Sequence, residues 1–273
     1  MSYYFKGIAD GFKQIDHSAN AFSDDMRNLT GRTEVSIATL LASANLGVYV
    51  TVGQSLFANY NGEPYTAVFN TYNFNAFNGR AYQCQDPLLG CAGDGTVAPT
   101  DQKGNQAGRI GDTLIQNSIH DDVIIAPIAV GGTKISQWAA GGNLVRRLEV
   151  CLLRLKEQGL EPTAILLEIG QQDAADGTTQ VAWEASFASF LSVIRGYTAA
   201  PVIVAQCTWR PSASNATIRA AQAAVVDSVE VFAGPDIDTL TGATYRQAAS
   251  PHLTATGCSV AAVLWKDAID AVI

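Results

Sequence analysis

Two short segments far apart in the chain contain the residue types of a serine hydrolase. Gly53-Gln54-Ser55 follows an apolar run, and His252 precedes the last amphipathic segment of the sequence. A serine hydroxyl is a poor nucleophile at neutral pH and needs a base within hydrogen-bond reach. A histidine can serve as that base, because its imidazole titrates near neutral pH. We therefore predict that Ser55 is a nucleophile and that His252 is its base.

The other histidines are His17 and His120. His17 lies in an irregular N-terminal segment, and His120 lies just before a predicted strand. Ligands of parallel sheets bind beyond the carboxyl ends of the strands, and neither residue is predicted to lie there. We assign no chemistry to either of them.

Size and charge exclude several classes of partner. The chain has 273 residues, 48% of them hydrophobic and 15% charged, which suits one large α/β domain. Its net charge of −8 would be repelled by nucleic acid and by anionic membranes, so we expect neither as a partner. No segment predicts a membrane span, and no secretory signal is visible. The oligomeric state is left open.

Apolar runs and amphipathic segments alternate along the chain, which predicts a three-layer α/β/α sandwich around a five-stranded parallel sheet. The predicted strands are nearly continuously apolar, as strands buried on both faces are. They are Val48–Val52, Val123–Val130, Ala164–Ile169, Pro201–Cys207 and Val229–Phe232. The predicted helices are Ser36–Ala44, Asn143–Gln158, Gln180–Tyr197, Asn215–Asp227 and Thr254–Ala271.

Three polar segments follow predicted strands directly. They are Gly53-Gln54-Ser55, Gly131-Gly132 and Gly170-Gln171-Gln172-Asp173. Because the carboxyl ends of parallel strands share one edge of the sheet, we expect the three segments to meet there.

Two regions depart from this alternation. Residues 1–33 are polar and irregular and are interpreted as a lead-in or linker, which leaves 34–273 as the domain. Residues 56–108 form an insertion rich in Asn, Gly, Tyr and Phe, and a loop of this length usually covers a site. Its aromatic side chains either stack on sugar rings or form a small core of their own. Cys84 and Cys91 lie close together in it, and whether they form a disulfide is left open.

The motifs resemble those of the SGNH hydrolases, over about residues 46 to 272. The most specific segment is Gly131-Gly132-Thr133-Lys134-Ile135-Ser136-Gln137-Trp138, between Gly53-Gln54-Ser55 and His252-Leu253-Thr254. The resemblance is to carbohydrate acetylesterases of the sialate O-acetylesterase type, including those carried on phage tails. It implies the flavodoxin-like strand order 2-1-3-4-5, an acetylated sugar or polysaccharide as substrate, and no metal or organic cofactor. Localisation is left open, with a cytoplasmic and a virion-associated location both considered.

The resemblance also implies roles for individual residues. Ser55 would attack the ester carbonyl, and His252 would take the serine proton and deliver it to the leaving sugar hydroxyl. The oxyanion hole would consist of the N–H of Ser55, an N–H of Gly131 or Gly132, and the side chain of Gln171 or Gln172. One such donor contributes about 3–4 kcal/mol to stabilisation of the transition state.

Members of this family have a catalytic triad of serine, histidine and an acid, and this chain departs from the family at the acid. The family places an aspartate three residues before the histidine, and this chain has Ala249 there. Without a carboxylate the imidazole loses the partner that fixes its tautomer. Three readings remain: a Ser–His dyad oriented by a backbone carbonyl, a displaced acid, or a domain that only binds. The candidates for a displaced acid are Asp236, Asp238, Asp173 and Glu168, although Asp173 is equally consistent with a helix cap.

The sequence thus favours a serine esterase that removes O-acetyl groups from a carbohydrate through an acyl-serine intermediate. The alternatives are a carbohydrate-binding module on a degenerate esterase scaffold and an acyl-ester or thioester hydrolase.

Overall fold

The computed structural model of the protein describes residues 3–7, 11–15, 29, 31–91, 104–211, 213–248 and 250–273. Its strands are β1 Tyr3–Gly7, β2 Gly11–Ile15, β3 Glu34–Val35, β4 Leu46–Gly53, β5 Thr71–Asn75, β6 Arg80–Gln83, β7 Asp122–Pro127, β8 Ala164–Glu168, β9 Val202–Gln206 and β10 Val231–Asp236. Its helices are α1 Ile37–Leu41, α2 Ala107–Gln116, α3 Ile135–Trp138, α4 Val145–Glu157, α5 Gln171–Ala175, α6 Gln180–Arg195, α7 Ala216–Ala224 and α8 Ala255–Asp270. Short 3₁₀ helices, Ser55–Phe57 and Ile237–Thr239, follow β4 and β10.

Five parallel strands form the centre of the sheet, in the order β10-β9-β8-β4-β7. When these five are numbered along the chain, their order is 2-1-3-4-5, so the predicted order is confirmed. The predicted number of strands was too small, because the sheet has eight. Beyond β7 it continues with β5, which is parallel to β7, and then with β6 and β3, which are antiparallel to their neighbours.

Helices cover both faces of the sheet, as an α/β/α sandwich requires. One apolar core lies beneath α1, α3, α4, α6 and α7, and the other lies beneath α2 and α8. The helix predicted over Asn143–Gln158 is α4, and its Leu148, Leu152 and Leu155 are all buried on one face. Among the described helices, none combines the length and apolar character needed to cross a bilayer.

The insertion after Ser55 adds strands to the sheet, which differs from the expected unstructured cover. Its strands β5 and β6 lie beside β7, and most of its aromatic side chains are buried in the fold, including Phe74 and Phe77. Phe69 is an exception, with 41% of its surface exposed. Tyr60, Tyr72 and Phe74 belong to the two cores that flank the sheet, so these rings do not form a separate core of the insertion. Cys84 and Cys91 are buried free thiols.

The N-terminal segment also contains regular structure. β1 and β2 pair as an antiparallel hairpin, with Tyr3 opposite Ile15, and β3 begins one residue beyond the predicted lead-in. The carboxyl ends of the five central strands define one edge of the sheet, called the catalytic rim below. Ser55, Gly131 and Gln171 follow β4, β7 and β8 at this rim.

Candidate active site

The turn that carries Ser55 depends on a glycine. Gly53 is the last residue of β4, lies opposite Glu168 of β8, and has a φ of +145°. A Cβ at this position would lie 2.1 Å from the carbonyl oxygen of Glu168, so no other residue fits without moving the backbone. The chain then turns into the 3₁₀ helix, where Ser55 is 7% exposed. The sheet thus places Ser55 at the catalytic rim.

Asn61 connects the segment that carries Ser55 to the segment that carries His252. Its side-chain nitrogen donates to the carbonyl of Leu56 over 2.7 Å, one residue after Ser55. Its side-chain oxygen accepts from the N–H of Leu253 over 3.0 Å, one residue after His252. Asn61 is fully buried, so these bonds form away from water. The structure thus joins, through one side chain, two segments that are almost 200 residues apart in sequence.

The same region holds the imidazole and a predicted oxyanion-hole glycine against one tyrosine. The ring centroids of Tyr60 and His252 are 5.3 Å apart. A Cβ on Gly131 would lie 2.7 Å from the Tyr60 ring, so the backbone of Gly131 packs directly on this ring. Gly62 donates its N–H to the carbonyl of Leu253 over 2.8 Å, which adds a backbone contact between the two segments.

Arg246 holds the loop that carries His252 from inside the protein. Its guanidinium is buried and donates to three backbone carbonyls, those of Ile237 (2.7 Å), Leu240 (2.6 Å) and Pro251. Its guanidinium carbon also lies 5.0 Å from the centre of the Trp209 ring. Because Pro251 directly precedes His252, this arginine is a positioning residue for the imidazole. Sequence reasoning missed both Asn61 and Arg246, because neither belongs to a motif.

The loop after β7, which contains Gly131 and Gly132, is tied to the turn before Ser55. Val130 donates its N–H to the carbonyl of Gly53 over 3.0 Å, and the Thr133 hydroxyl donates to the carbonyl of Val130 over 2.9 Å. Gly132 is exposed and has a φ of +69°, a conformation that favours glycine. Both candidate glycine donors therefore lie at the catalytic rim.

The amide of Gln171 is engaged within the protein. Its nitrogen donates to the carbonyl of Trp209 over 2.8 Å, and its oxygen accepts a short hydrogen bond from the side chain of Gln54. Gln172 donates to Asp176 over 2.7 Å on the surface of α5. For Gln171 to donate to an oxyanion, its amide nitrogen must break its hydrogen bond to the carbonyl of Trp209.

Two candidate acids, Asp236 and Asp238, are bound to other groups. Asp238 accepts from the N–H groups of Thr208 and Trp209, from the Thr208 hydroxyl and from Arg219, over 2.6 to 3.0 Å. A carboxylate has about four acceptor sites, so those of Asp238 are filled. Asp236 forms a bidentate pair with the same Arg219, at 2.8 and 2.7 Å.

The other two candidate acids are buried beside the catalytic rim. Asp173 accepts from the N–H of Ile135 over 3.3 Å, which ties α5 to the first turn of α3, and burial raises its pKa to about 6. Glu168 is fully buried and accepts from the side chain of Gln106; burial raises its pKa to about 8, although nearby Arg246 opposes the shift. Ala249, at the family's aspartate position, lies outside the described residues.

Comparison with known proteins identifies a family for this chain. The family model described as carbohydrate esterase, sialic acid-specific acetylesterase matches residues 100–264, a range that includes His252 but begins after Ser55. No curated protein matches the chain by sequence.

Solved structures share the fold. A protein from Arabidopsis thaliana is 17% identical with a TM-score of 0.66, and the match covers 83% of this chain and 98% of that one. A Parabacteroides merdae protein described as a GDSL-like lipase is 14% identical with a TM-score of 0.55, covering 82% and 95%. A carbohydrate acetylesterase from Xanthomonas citri is 13% identical with a TM-score of 0.52, covering 83% and 56%. At these identities the likeness shows a common fold.

Proposed function

We propose a serine esterase activity for this chain, which belongs to the carbohydrate esterase family of sialic acid-specific acetylesterases. Its reaction would be the removal of O-acetyl groups from a carbohydrate or polysaccharide. The observation that carries the proposal is the Asn61 bridge, which links the residue after Ser55 to the residue after His252. A nucleophile and a base must act at one point, and this buried amide fixes their two segments together.

In the proposed reaction, the Ser55 oxygen attacks the acetyl carbonyl carbon while His252 takes the hydroxyl proton. The negative charge that develops on the carbonyl oxygen is stabilised by the N–H groups of Ser55 and of Gly131 or Gly132. The bond to the sugar oxygen then breaks, and His252 returns the proton to that oxygen. Water, activated by the same imidazole, releases acetate from the acyl-serine and restores the enzyme.

The contacts of the carboxylates favour a Ser–His dyad over a displaced acid. Asp236 and Asp238 are occupied by Arg219 and by the end of β9, and Asp173 is bonded to α3. Glu168 is fully buried and accepts from the side chain of Gln106. A dyad needs another means of orienting the imidazole, and Arg246 supplies one through the carbonyl of Pro251. In this proposal, backbone geometry replaces the family's aspartate in fixing the ring.

Turnover of p-nitrophenyl acetate tests the proposal. We expect Ser55→Ala and His252→Ala each to lower kcat/KM at least about a hundredfold, because the two groups act as a unit. The folded state of each variant is checked by circular dichroism. Wild-type turnover equal to that of Ser55→Ala would contradict the esterase and support the binding module. Release of acetate from an O-acetylated oligosaccharide then tests the substrate class.

Substitution of the carboxylates separates a dyad from a displaced acid. A dyad predicts that Asp236→Asn, Asp238→Asn and Asp173→Asn retain turnover within about tenfold of wild type in the same assay. A loss of about 10⁴-fold, the effect of removing a triad aspartate, would identify that residue as the acid. The Ser55→Ala protein gives the background rate for the series.

A further inference from the structure

Glu168 is a buried carboxyl group beside the turn that carries Ser55. It is the last residue of β8, lies opposite Gly53 of β4, and accepts the N–H of Gln54 at its backbone carbonyl over 3.2 Å. Its side chain is fully buried and faces Gln106, at the start of α2, and Trp265 of α8. Because the carboxyl is enclosed by the protein, it can affect the reaction only through other residues.

Gln106 connects this carboxyl to the segment that carries Ser55. It is fully buried, and its side-chain nitrogen donates to Oε2 of Glu168 and, over 3.4 Å, to the carbonyl of Leu56. The same carbonyl accepts from Asn61 over 2.7 Å. Two buried amides thus hold the residue that follows Ser55, and one of them is bound to Glu168.

Arg246 connects the carboxyl to the loop that carries His252. It is a buried cation whose charge acts on Glu168. Its Nε, Nη1 and Nη2 donate to the carbonyls of Leu240, Pro251 and Ile237, so its donors are used on this loop. An ionised Glu168 would attract the guanidinium and compete with these carbonyls. A neutral carboxyl leaves the guanidinium on Pro251, next to His252.

The surroundings of Glu168 favour its neutral form. Its Oε1 and the indole N–H of Trp265 both lack a hydrogen-bond partner of good geometry among the described residues, and a buried carboxylate with an unpaired oxygen is costly. Burial accordingly raises the pKa of Glu168 to about 8, although Arg246 opposes the shift. The thiols of Cys207 and Cys258 also face it, and burial raises the pKa of both, which keeps them uncharged.

We propose that Glu168 is a positioning residue that acts in its neutral form, holding the Ser55 segment through Gln106 and leaving Arg246 on the loop of His252. The inference deepens the proposed function and rests on it, because a positioning residue needs a reaction to act on. The role differs from that of a displaced triad acid, since the acid of a triad is ionised in the active enzyme. Turnover should therefore be present at neutral pH and be lost as Glu168 ionises.

The pH dependence of kcat/KM for p-nitrophenyl acetate from pH 5 to pH 9.5 tests the inference, with the rate of Ser55→Ala subtracted at each pH. In the wild type, kcat/KM should rise on the acidic side as His252 loses its proton and fall above about pH 8. At pH 9.5 about one carboxyl in thirty is still neutral, so kcat/KM should be about thirtyfold below its maximum. Glu168→Gln keeps a neutral group of the same shape and should rescue this loss, retaining at pH 9.5 the kcat/KM that it has at pH 7. Circular dichroism at both pH values checks that each protein is folded.

Asp86→Asn is a matched control for the titration of a buried carboxyl. Asp86 lies in the insertion, accepts the N–H groups of Tyr65 (3.0 Å) and Asn105 (2.8 Å), and has a pKa raised by burial to about 7. Because this carboxyl has no part in the proposed positioning, the alkaline fall should persist in Asp86→Asn.

Gln106→Met tests the connection to Ser55 and provides a measurement even if Glu168→Gln does not fold. It removes the amide between Glu168 and Leu56, so it should lower kcat about tenfold with little change in KM. The alkaline fall should move to higher pH, because the carboxylate loses a hydrogen-bond donor.

The inference is overturned if wild-type kcat/KM stays constant from pH 7 to pH 9.5, if Glu168→Gln shows the wild-type fall, or if Gln106→Met has the wild-type kcat. Loss of the fall in Asp86→Asn would assign it to Asp86 instead. A folded Glu168→Gln protein with about 10⁴-fold lower turnover at pH 7 would make Glu168 the displaced acid. Failure of the proposed function would be visible separately, as a lack of Ser55-dependent turnover at every pH.

Discussion

The two ends of the central sheet each hold a histidine, and the two differ in their access to solvent. At the end opposite the catalytic rim, Nε2 of His120 lies 2.7 Å from the Tyr49 hydroxyl, and its Nδ1 lies 3.0 Å from the side-chain oxygen of Asn45. A hydroxyl, an imidazole and a group that orients the imidazole thus lie next to one another in space, in the same order as in a catalytic triad. At the catalytic rim, His252 is half-buried on a loop held by Asn61 and Arg246.

The hydrogen bonds of His120 do not make it a catalytic residue, because its surroundings leave no room for a substrate. A Cβ on Gly47 would lie 2.5 Å from the His120 ring, and His120 is only 7% exposed. Burial lowers the pKa of His120, which keeps the ring neutral. The comparison teaches that access at the carboxyl ends of the strands, rather than a hydrogen-bonded histidine as such, distinguishes a candidate base.

The sharpest test exchanges each histidine for glutamine. We expect His252→Gln to lower kcat/KM for p-nitrophenyl acetate at least about a hundredfold with little change in stability. His120→Gln should retain turnover at 25 °C and lower the free energy of unfolding by about 1–3 kcal/mol, because buried polar groups lose their partners. Urea titration and ester hydrolysis on both proteins provide the measurement. A loss of turnover in a folded His120→Gln protein would contradict the distinction between His252 as the base and His120 as a structural residue.

A smaller effect is expected from Asn61→Ala, which has a matched control in Asn73→Ala. Asn73 is equally buried, and it donates to the carbonyl of Leu89 over 3.0 Å and accepts from its N–H over 2.7 Å. Both substitutions should lower the free energy of unfolding by about 1–3 kcal/mol. Asn61→Ala alone should also lower kcat, by about tenfold and with little change in KM, because it misplaces catalytic groups. Equal kcat values for the two variants would show that Asn61 contributes stability only.

A further test compares the pH dependence of stability at the two ends of the sheet. Burial raises the pKa of Glu168 from an ordinary 4.5 to about 8, so between these values the folded state binds more protons than the unfolded state. The free energy of unfolding should therefore fall as pH rises through this window, by at most about 1.4 kcal/mol per pH unit. Glu168→Gln should remove this fall. Urea titrations from pH 5 to pH 8 measure it.

His120 predicts the opposite slope on the acidic side. Its pKa is lowered by burial, so the folded state binds fewer protons than the unfolded state just below the ordinary value of 6.5. Stability should be lost as pH falls through this region, and His120→Gln should reduce that loss. If the free energy of unfolding of wild type and of both variants had the same pH dependence, the two ends of the sheet would not differ in their electrostatics.

The central strands were predictable because each is a continuous apolar run, and their order matched the resemblance. β5 and β6 were not predicted, since Thr71-Tyr72-Asn73-Phe74-Asn75 and Arg80-Ala81-Tyr82-Gln83 interleave polar and aromatic residues. Asn73 is nonetheless buried, because the backbone of Leu89 satisfies its amide. Such compensation depends on a contact 16 residues away, which periodicity does not report.

The sequence supplies the proposed reacting groups of the candidate site but not the residues that hold their segments in place. Ser55 and His252 stand in recognisable motifs after a strand and before a helix. Asn61 and Arg246 act through hydrogen bonds to backbone groups. The backbone partner of Asn61 near His252 is 192 residues away in the sequence. Asparagine and arginine occur at many other positions of the chain, so composition and spacing do not single out these two.

The added strands have a consequence for how copies of the protein behave in concentrated solution. Without β5, β6 and β3, one side of β7 would present a row of unpaired backbone groups, the surface on which proteins aggregate edge to edge. The sheet instead ends on this side at a strand of two residues, where Glu34 is paired with Arg80. At the far side, β10 contains Pro235, which has no N–H to offer a neighbouring chain. Both margins of the sheet are thus poor templates for self-association, and a Pro235→Val substitution would remove one of these safeguards.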